Sequence, residues 1–272
     1  MSDATQNGTA RKDVVQVEDR GAVRIIAINR PESRNAINMD VLLGLRKAVR
    51  EAAKAEHLRA IVFTGRGGAF SGGADVKEWM EIAQGRNPHP DHDWVSEAIQ
   101  LVQEVFRLPK PTIAMMDGAA VGAGLDMALA CDFRIASPKA KFICAYTRVG
   151  YPPDCGGSWL LPRLIGLEAS KVFVYTGDAW DAAKAKAAGM VTEVTADGEL
   201  ESATMAWAER MSRTPTVATG LAKHLIDNAH RRTFAEQLSE EEKAGKVCAK
   251  TADHAEGLAA ANEKRAPNFV GR

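Results

Sequence analysis

Two glycine-rich segments constrain this chain more than anything else in it. Gly65-Arg66-Gly67-Gly68-Ala69-Phe70-Ser71-Gly72-Gly73-Ala74-Asp75 and Gly118-Ala119-Ala120-Val121-Gly122-Ala123-Gly124-Leu125-Asp126 each follow a short apolar run, Ala60 to Thr64 and Thr112 to Met116, and each precedes a helical pattern. A buried strand that turns through small residues into a helix is a unit of α/β layering. Glycine at a helix start lets a ligand reach the backbone, and the first N–H groups of the helix have no acceptor within it, so they serve as outward donors. Neither segment fits the phosphate-binding P-loop, and neither gives GxGxxG in the required register. Two such turns are able to polarise one carbonyl, but glycine richness alone is read equally well as tight packing.

The flanking sequence extends the alternation. Val14 to Glu18 and Ala22 to Asn29 read as strands joined by a tight turn at Asp19-Arg20-Gly21. Met39 to Lys54 carries apolar residues at 41, 42, 45, 48, 49 and 52, the spacing of an amphipathic helix, and helix signals return at 94 to 107. Between Trp79 and Trp94, Gly85, Pro88 and Pro90 stop a helix, so the stretch reads as a loop and a candidate lid. From Glu199 onward alanine-rich, charge-patterned segments predict helices, with no strand run after Met190 to Val194. The expected organisation is a flexible leader at 1–12, a core at 13–198 and a helical C-terminal region at 199–272.

Composition removes several function classes. Lys plus Arg and Asp plus Glu are equal at 35 each, so no global field recruits nucleic acid or an anionic membrane. Cys131, Cys144, Cys155 and Cys248 are scattered without CxxC spacing and read as reduced thiols. The six histidines show no HExxH spacing, and no metal site is expected. Met1 to Lys12 is polar, and the most apolar long run, Ile113 to Cys131, is broken by Asp117 and Asp126. Neither secretion nor membrane spanning is expected, and a cytoplasmic location is.

Five segments, in order and spacing along nearly the whole chain, resemble the signatures of the enoyl-CoA hydratase/isomerase (crotonase) superfamily. They are Ile28-Asn29-Arg30-Pro31-Glu32-Ser33-Arg34-Asn35-Ala36-Ile37-Asn38; Ala69 to Glu78; Lys110-Pro111-Thr112 through Gly122-Ala123-Gly124 to Ala130-Cys131-Asp132; Leu161-Pro162-Arg163-Leu164-Ile165-Gly166; and Thr176-Gly177. The ending Pro267 to Arg272 is similar too. The resemblance implies an α/β fold, a spiral of ββα units with a helical C-terminal trimerisation region, assembled as a homotrimer or hexamer. It also implies an acyl-CoA substrate and no cofactor beyond the coenzyme A carried by that substrate. Carried over by position, the backbone N–H groups of Ala74 and Ala123 form an oxyanion hole on the thioester oxygen. Ala36, Ser71, Asp75, Val76 and Lys77 fall beside coenzyme A, chiefly through main-chain contacts, while Asp75 also reads as a helix cap.

The departures from that pattern bear on the reaction. Hydratases of the family carry two glutamates that position water; here Asp126 and Tyr146 stand at those places. A tyrosine with an ordinary pKa of about 10 is a poor base at neutral pH. Asp154, in Pro153-Asp154-Cys155-Gly156-Gly157, resembles the arrangement of dienoyl-CoA and ring-epoxide acyl-CoA isomerases and is a candidate proton shuttle. Its competing role is to cap a helix beginning at Gly156. Asp126 is catalytic or supporting, and in the second case a buried carboxylate needs a partner. Tyr146 packs with its hydroxyl partnered, or orients substrate. Cys155 has no motif-linked histidine and is not expected to be a nucleophile. Trp159, Leu160 and Leu164 have helical spacing and read as core. The expected activity is double-bond isomerisation through an enolate, with Asp154 as base and acid. The alternatives are hydration or another enolate reaction, ring opening or decarboxylation, using Asp126 and Asp154, and a non-catalytic acyl-CoA-binding protein.

Overall fold

The computed structural model describes residues 13–272, so the expected leader lies outside the described residues. In chain order the elements are β1 (Val15–Arg20), β2 (Val23–Ile28), α1 (Met39–Lys54), β3 (Ala60–Gly65), α2 (Val76–Ala83), α3 (Trp94–Phe106), β4 (Thr112–Met116), β5 (Ala119–Val121), α4 (Ala123–Leu129), β6 (Phe133–Ala136), β7 (Lys141–Ile143), α5 (Gly157–Ile165), α6 (Leu167–Thr176), β8 (Ala179–Asp181), α7 (Ala182–Ala187), β9 (Glu193–Val194), α8 (Leu200–Ser212), α9 (Thr216–Asn228), α10 (Phe234–Cys248) and α11 (Ala252–Glu263).

The hairpin forms with a tighter turn than the sequence predicts. Asp19 pairs with Arg24 and Arg20 with Val23 across it, leaving Gly21 and Ala22 as the loop, with Gly21 at φ 60°. The Asp19 carboxylate accepts from Arg24 Nε at 2.7 Å, and this opposite-charge pair holds the last ladder residues in the strands. β2 then pairs in parallel with β3, β3 with β4, β4 with β6 and β6 with β9. Alternate residues of this sheet divide two cores. Ile26, Ile28, Ile61, Phe63, Ala114 and Met116 face the helices of the main core, whereas Val23, Ile25, Val62, Ile113 and Ile135 pack under Ala208 of α8.

A second, small sheet makes the spiral. After β4 the chain crosses to β5 before starting α4, and after β6 it crosses to β7, which pairs in parallel with β5 and antiparallel with β8. Single bridges, Ile37 with Ala74 and Ser71 with Ala120, carry the same layer back into the first two turns. Each turn therefore places one strand in the large sheet, one short strand or bridge in the small one, and then a helix. The crotonase-like α/β spiral expected from the sequence is the observed fold, with helices closing the C-terminal end.

Polar groups fix the helices around this spiral. Buried Arg46 of α1 spreads its guanidinium over Glu97, Gln100 and Glu104 of α3. Lys110 is buried and donates to the Ala52 and Ala55 carbonyls at 2.7 Å each, closing the C-terminal end of α1, and its burial lowers its pKa. The loop after α2 is shorter than expected, because α2 continues to Ala83 and α3 starts at Trp94 on an Asp93 cap. The C-terminal tail is pinned by the Asp253 carboxylate, which accepts from the Val270 and Gly271 N–H groups at 2.6 and 2.9 Å.

One residue ties the first signature to the second. Asn35 is fully buried with φ 57°, a left-handed conformation asparagine tolerates better than most residues. Its Oδ1 accepts from Arg30 N at 2.9 Å, and its Nδ2 donates to the Arg66 and Ala69 carbonyls at 2.8 and 2.7 Å. Replacing Asn35 by Ala strands these groups in a dry interior. Urea denaturation of Asn35→Ala is expected to show a loss of about 3 kcal/mol; a loss below about 1 kcal/mol would show that the loop does not depend on it.

Candidate active site

The two glycine-rich segments lie directly against each other. Ser71 N–H donates to the Ala119 carbonyl and Val121 N–H to the Ser71 carbonyl, both at 3.0 Å. A β-carbon at Gly118 would lie 2.0 Å from the Gly68 oxygen, and one at Gly124 would lie 2.5 Å from the Ser71 side chain. Glycine at these two positions is what allows the segments to touch.

This packing decides which N–H groups are left over. In the parallel bridge at Ile37 the bonds run from Ile37 N–H to the Gly73 carbonyl, 2.7 Å, and from Asp75 N–H to the Ile37 carbonyl, 3.0 Å. Ala74, between them, turns its own N–H to the opposite side. Ala123 is the first residue of α4, and its N-cap, Gly122, offers no side-chain acceptor. Its N–H therefore has no partner within the helix.

The neighbouring positions differ in role. Ser71 is fully buried and its N–H, C=O and Oγ are all engaged inside the loop, the Oγ donating to the Asn35 carbonyl at 2.8 Å. It builds the loop and presents no free polar group. Asp75 caps α2 by accepting from Lys77 N at 3.1 Å and pairs with Arg30 at 2.9 Å, while the same guanidinium holds the Ala36 carbonyl at 2.7 Å. Ala36 is half-buried, and Val76 and Lys77 are exposed.

A cluster of titratable groups stands beside the second segment. Asp126 lies one turn into α4, its N–H bonded to the Gly122 carbonyl at 2.9 Å. Tyr146, from the turn after β7, rests its ring 3.9 Å from where a Gly122 β-carbon would be and donates its hydroxyl to Asp126 Oδ2 at 2.7 Å. Asp126 is 1% exposed. Burial pushes its carboxyl up to about 7, outweighing the opposing pull of the Tyr146 hydrogen bond, with Asp154 adding further negative charge. Tyr146 is itself held far above its ordinary value, by burial first and by Asp126 next. Oδ1 of Asp126 has no hydrogen-bond partner. The Gly157 N–H lies near enough to favour the ionised carboxylate without meeting hydrogen-bond geometry at Oδ1. A β-carbon at Gly157 would sit 2.4 Å from that oxygen, so glycine is required where α5 begins.

Asp154 does not cap α5. The helix starts at Gly157 behind a left-handed Gly156, φ 96°, with no side-chain cap. The Asp154 carboxylate instead accepts from the Cys155 thiol, Sγ to Oδ1 3.3 Å, and the residue is half-buried. The structure thus gathers Asp126, Tyr146, Asp154 and Cys155 into one cluster. Cys155 and Asn35 are the members of this architecture to which the sequence motifs assign no role. For Asn35 the signal was present, an asparagine in a turn between Pro31 and Ile37; for Cys155 only the fold supplies it. Trp159 and Leu164 are only partly buried, while Leu160 is buried. A cavity of about 1330 Å³ lies elsewhere, between α1, α3 and α9; Gly156 and Leu160 line it but the acidic cluster does not.

The buried carboxyl has a measurable consequence. Asp126 is protonated in the folded chain up to about pH 7 but ionises near 3.8 when unfolded, so its contribution is fully present below the unfolded value and is lost as pH rises through about 7. The loss is on the order of 4 kcal/mol. Asp126→Asn is expected to flatten the fall in unfolding free energy between about pH 4 and pH 8; an unchanged slope would mean the carboxyl ionises freely in the fold.

Comparison with known proteins agrees along the chain. Residues 18–272 match the family model described as enoyl-CoA hydratase/isomerase. The chain is 33% identical over 252 residues to 1,2-epoxyphenylacetyl-CoA isomerase of Escherichia coli, covering 92% of this chain and 95% of that protein. It is 32% identical over 280 residues to enoyl-CoA hydratase domain-containing protein 2 of Mus musculus, a mitochondrial protein, covering 99% and 93%. Among solved structures, the enoyl-CoA hydratase of Bacillus anthracis superposes with a TM-score of 0.88 at 32% identity, covering 95% of this chain and all of that one. This chain belongs to the enoyl-CoA hydratase/isomerase family.

Proposed function

We propose that this protein is an acyl-CoA isomerase that moves a carbon–carbon double bond through an enolate. The observation that carries this reading is the placement of Asp126: buried at 1% exposure with its Oδ2 taken by the Tyr146 hydroxyl, and with burial raising its pKa, it is poorly suited to hold or activate a water. Asp154 is then the carboxylate of the cluster left to move a proton. It takes a proton from the acyl chain as the C–H pair shifts toward the thioester, and returns it to another carbon as the charge collapses back. No water is consumed.

The oxyanion is assigned to the N–H groups of Ala74 and Ala123. Each such donor is worth about 2.7 to 4 kcal/mol at the transition state when water is excluded. The methyl of Ala123 does not interfere, because the donor is backbone. Val76 and Lys77, exposed at the start of α2, together with the main chain at Ala36, are assigned to coenzyme A. That the chain works as a homotrimer or hexamer is supported by large apolar side chains left in water on α6 and on α9 to α11, among them Leu167 and Tyr175 at 70% exposure and Phe234 at 80%.

The test is mass spectrometry of the purified enzyme with 2-enoyl, 3-enoyl, dienoyl and cyclic-epoxide CoA thioesters in heavy-oxygen water. An isomer without added oxygen is expected from the wild type, and a drop of at least about a thousandfold in Asp154→Asn. Heavy-oxygen incorporation that persists in the mutant would instead assign hydration to Asp126. Tight binding of every thioester with no turnover would leave a binding protein.

A further inference from the structure

Cys155 takes no part in the oxyanion hole or the proton transfer just described, yet it is buried inside the cluster at 1% exposure. Cys155 and half-buried Asp154 lie next to each other just before the left-handed Gly156, φ 96°. The thiol reaches sideways to Asp154 Oδ1 at 3.3 Å. Around it stand the Asp126 carboxyl from α4, the Tyr146 hydroxyl from the turn after β7, and Asp154 itself. Burial and the neighbouring negative charge push the Cys155 thiol up, so it stays an S–H donor and is no nucleophile.

Resting on the shuttle reading above, we propose that Cys155 is a positioning residue whose buried thiol pins Oδ1 of Asp154 and leaves Oδ2 as the single oxygen that collects and returns the proton. A carboxylate rotates readily about its last torsion, where the two orientations are nearly equivalent. With Oδ1 held, one C–H bond breaks as Oδ2–H forms, and the same proton is delivered as the new C–H bond closes. With Oδ1 free, the carboxyl swings between oxygens and trades its proton with water before returning it.

The experiment runs wild type, Cys155→Ala, Cys155→Ser and Asp154→Asn on the 3-enoyl and dienoyl-CoA thioesters in heavy water, reading kcat, KM and the deuterium content of the isomer, with thermal unfolding alongside. Cys155→Ala is expected to lower kcat about tenfold with KM within about twofold, and to raise deuterium in the product. Cys155→Ser, which keeps a hydrogen-bond donor, is expected to restore most of both. If Asp154→Asn is inactive but Cys155→Ala keeps wild-type kcat and deuterium content, the positioning role is overturned while the shuttle stands. Equal losses in the Ala and Ser variants with unchanged deuterium content would reduce Cys155 to packing. Full activity in Asp154→Asn, or no isomerisation by the wild type, would overturn the shuttle and this role together.

Discussion

The contact between Ser71 and the segment Ala119 to Gly124 is the constraint on which the rest of the structure depends. A side chain at Gly118 or Gly124 would push the two segments apart, and the bridge at Ala120 would open with them. That bridge is also the seam of the small sheet, through which the first turns of the spiral are joined to β5, β7 and β8. Ser71 commits its N–H and C=O to this junction and its Oγ to the Asn35 carbonyl, so Asn35 supports the junction from behind. Among the backbone donors the junction leaves over are those of Ala74 and Ala123, on either side of it. Backbone donors cannot rotate, so a carbonyl placed there meets a field that needs no reorganisation.

The chemistry beside that junction turns on a competition between burial and hydrogen bonding at Asp126. One hydroxyl donor favours the carboxylate, but complete desolvation outweighs it and raises the carboxyl to about 7. An acid of this kind links α4 to the turn that carries Tyr146 and abuts the start of α5 at Gly157. It thereby braces the short stretch that presents Asp154. Under the proposed function the two carboxyls divide their work: Asp126 holds the frame, and Asp154 is the one assigned to the substrate.

Much of this was legible in the sequence, for local reasons. Strand periodicity in Ala60 to Thr64 and Thr112 to Met116, the helix spacing of Met39 to Lys54 and the glycines between them are patterns that neighbours in the chain impose on one another. The cap at Asp75 was legible in the same way. What was not legible depends on residues distant in sequence or on a single dihedral. The hydrogen bond from Tyr146 to Asp126 joins positions 20 apart through two different elements. The capping role open to Asp154 is closed by the start of α5 behind the left-handed Gly156, where the Asp154 carboxylate accepts from the Cys155 thiol instead. The turn of the first hairpin tightened from Asp19–Gly21 to Gly21–Ala22, with Asp19 and Arg20 drawn into the ladder, where Asp19 pairs across the strands with Arg24. The loop before Trp94 shortened because α2 runs on past Trp79, whose ring packs edge-on against Trp94 and Tyr151 with centroids 5.5 and 6.1 Å away.

The measurement that bears most directly on the central claim, that the junction of the two glycine-rich segments polarises a thioester, is the infrared stretch of a carbon-13-labelled acyl-CoA carbonyl bound to the protein. Two aligned N–H donors in a site without water predict a band displaced to lower frequency than in solution, by an amount that survives Asp154→Asn because the donors are backbone. A bound carbonyl that absorbs where the free thioester does would contradict the account.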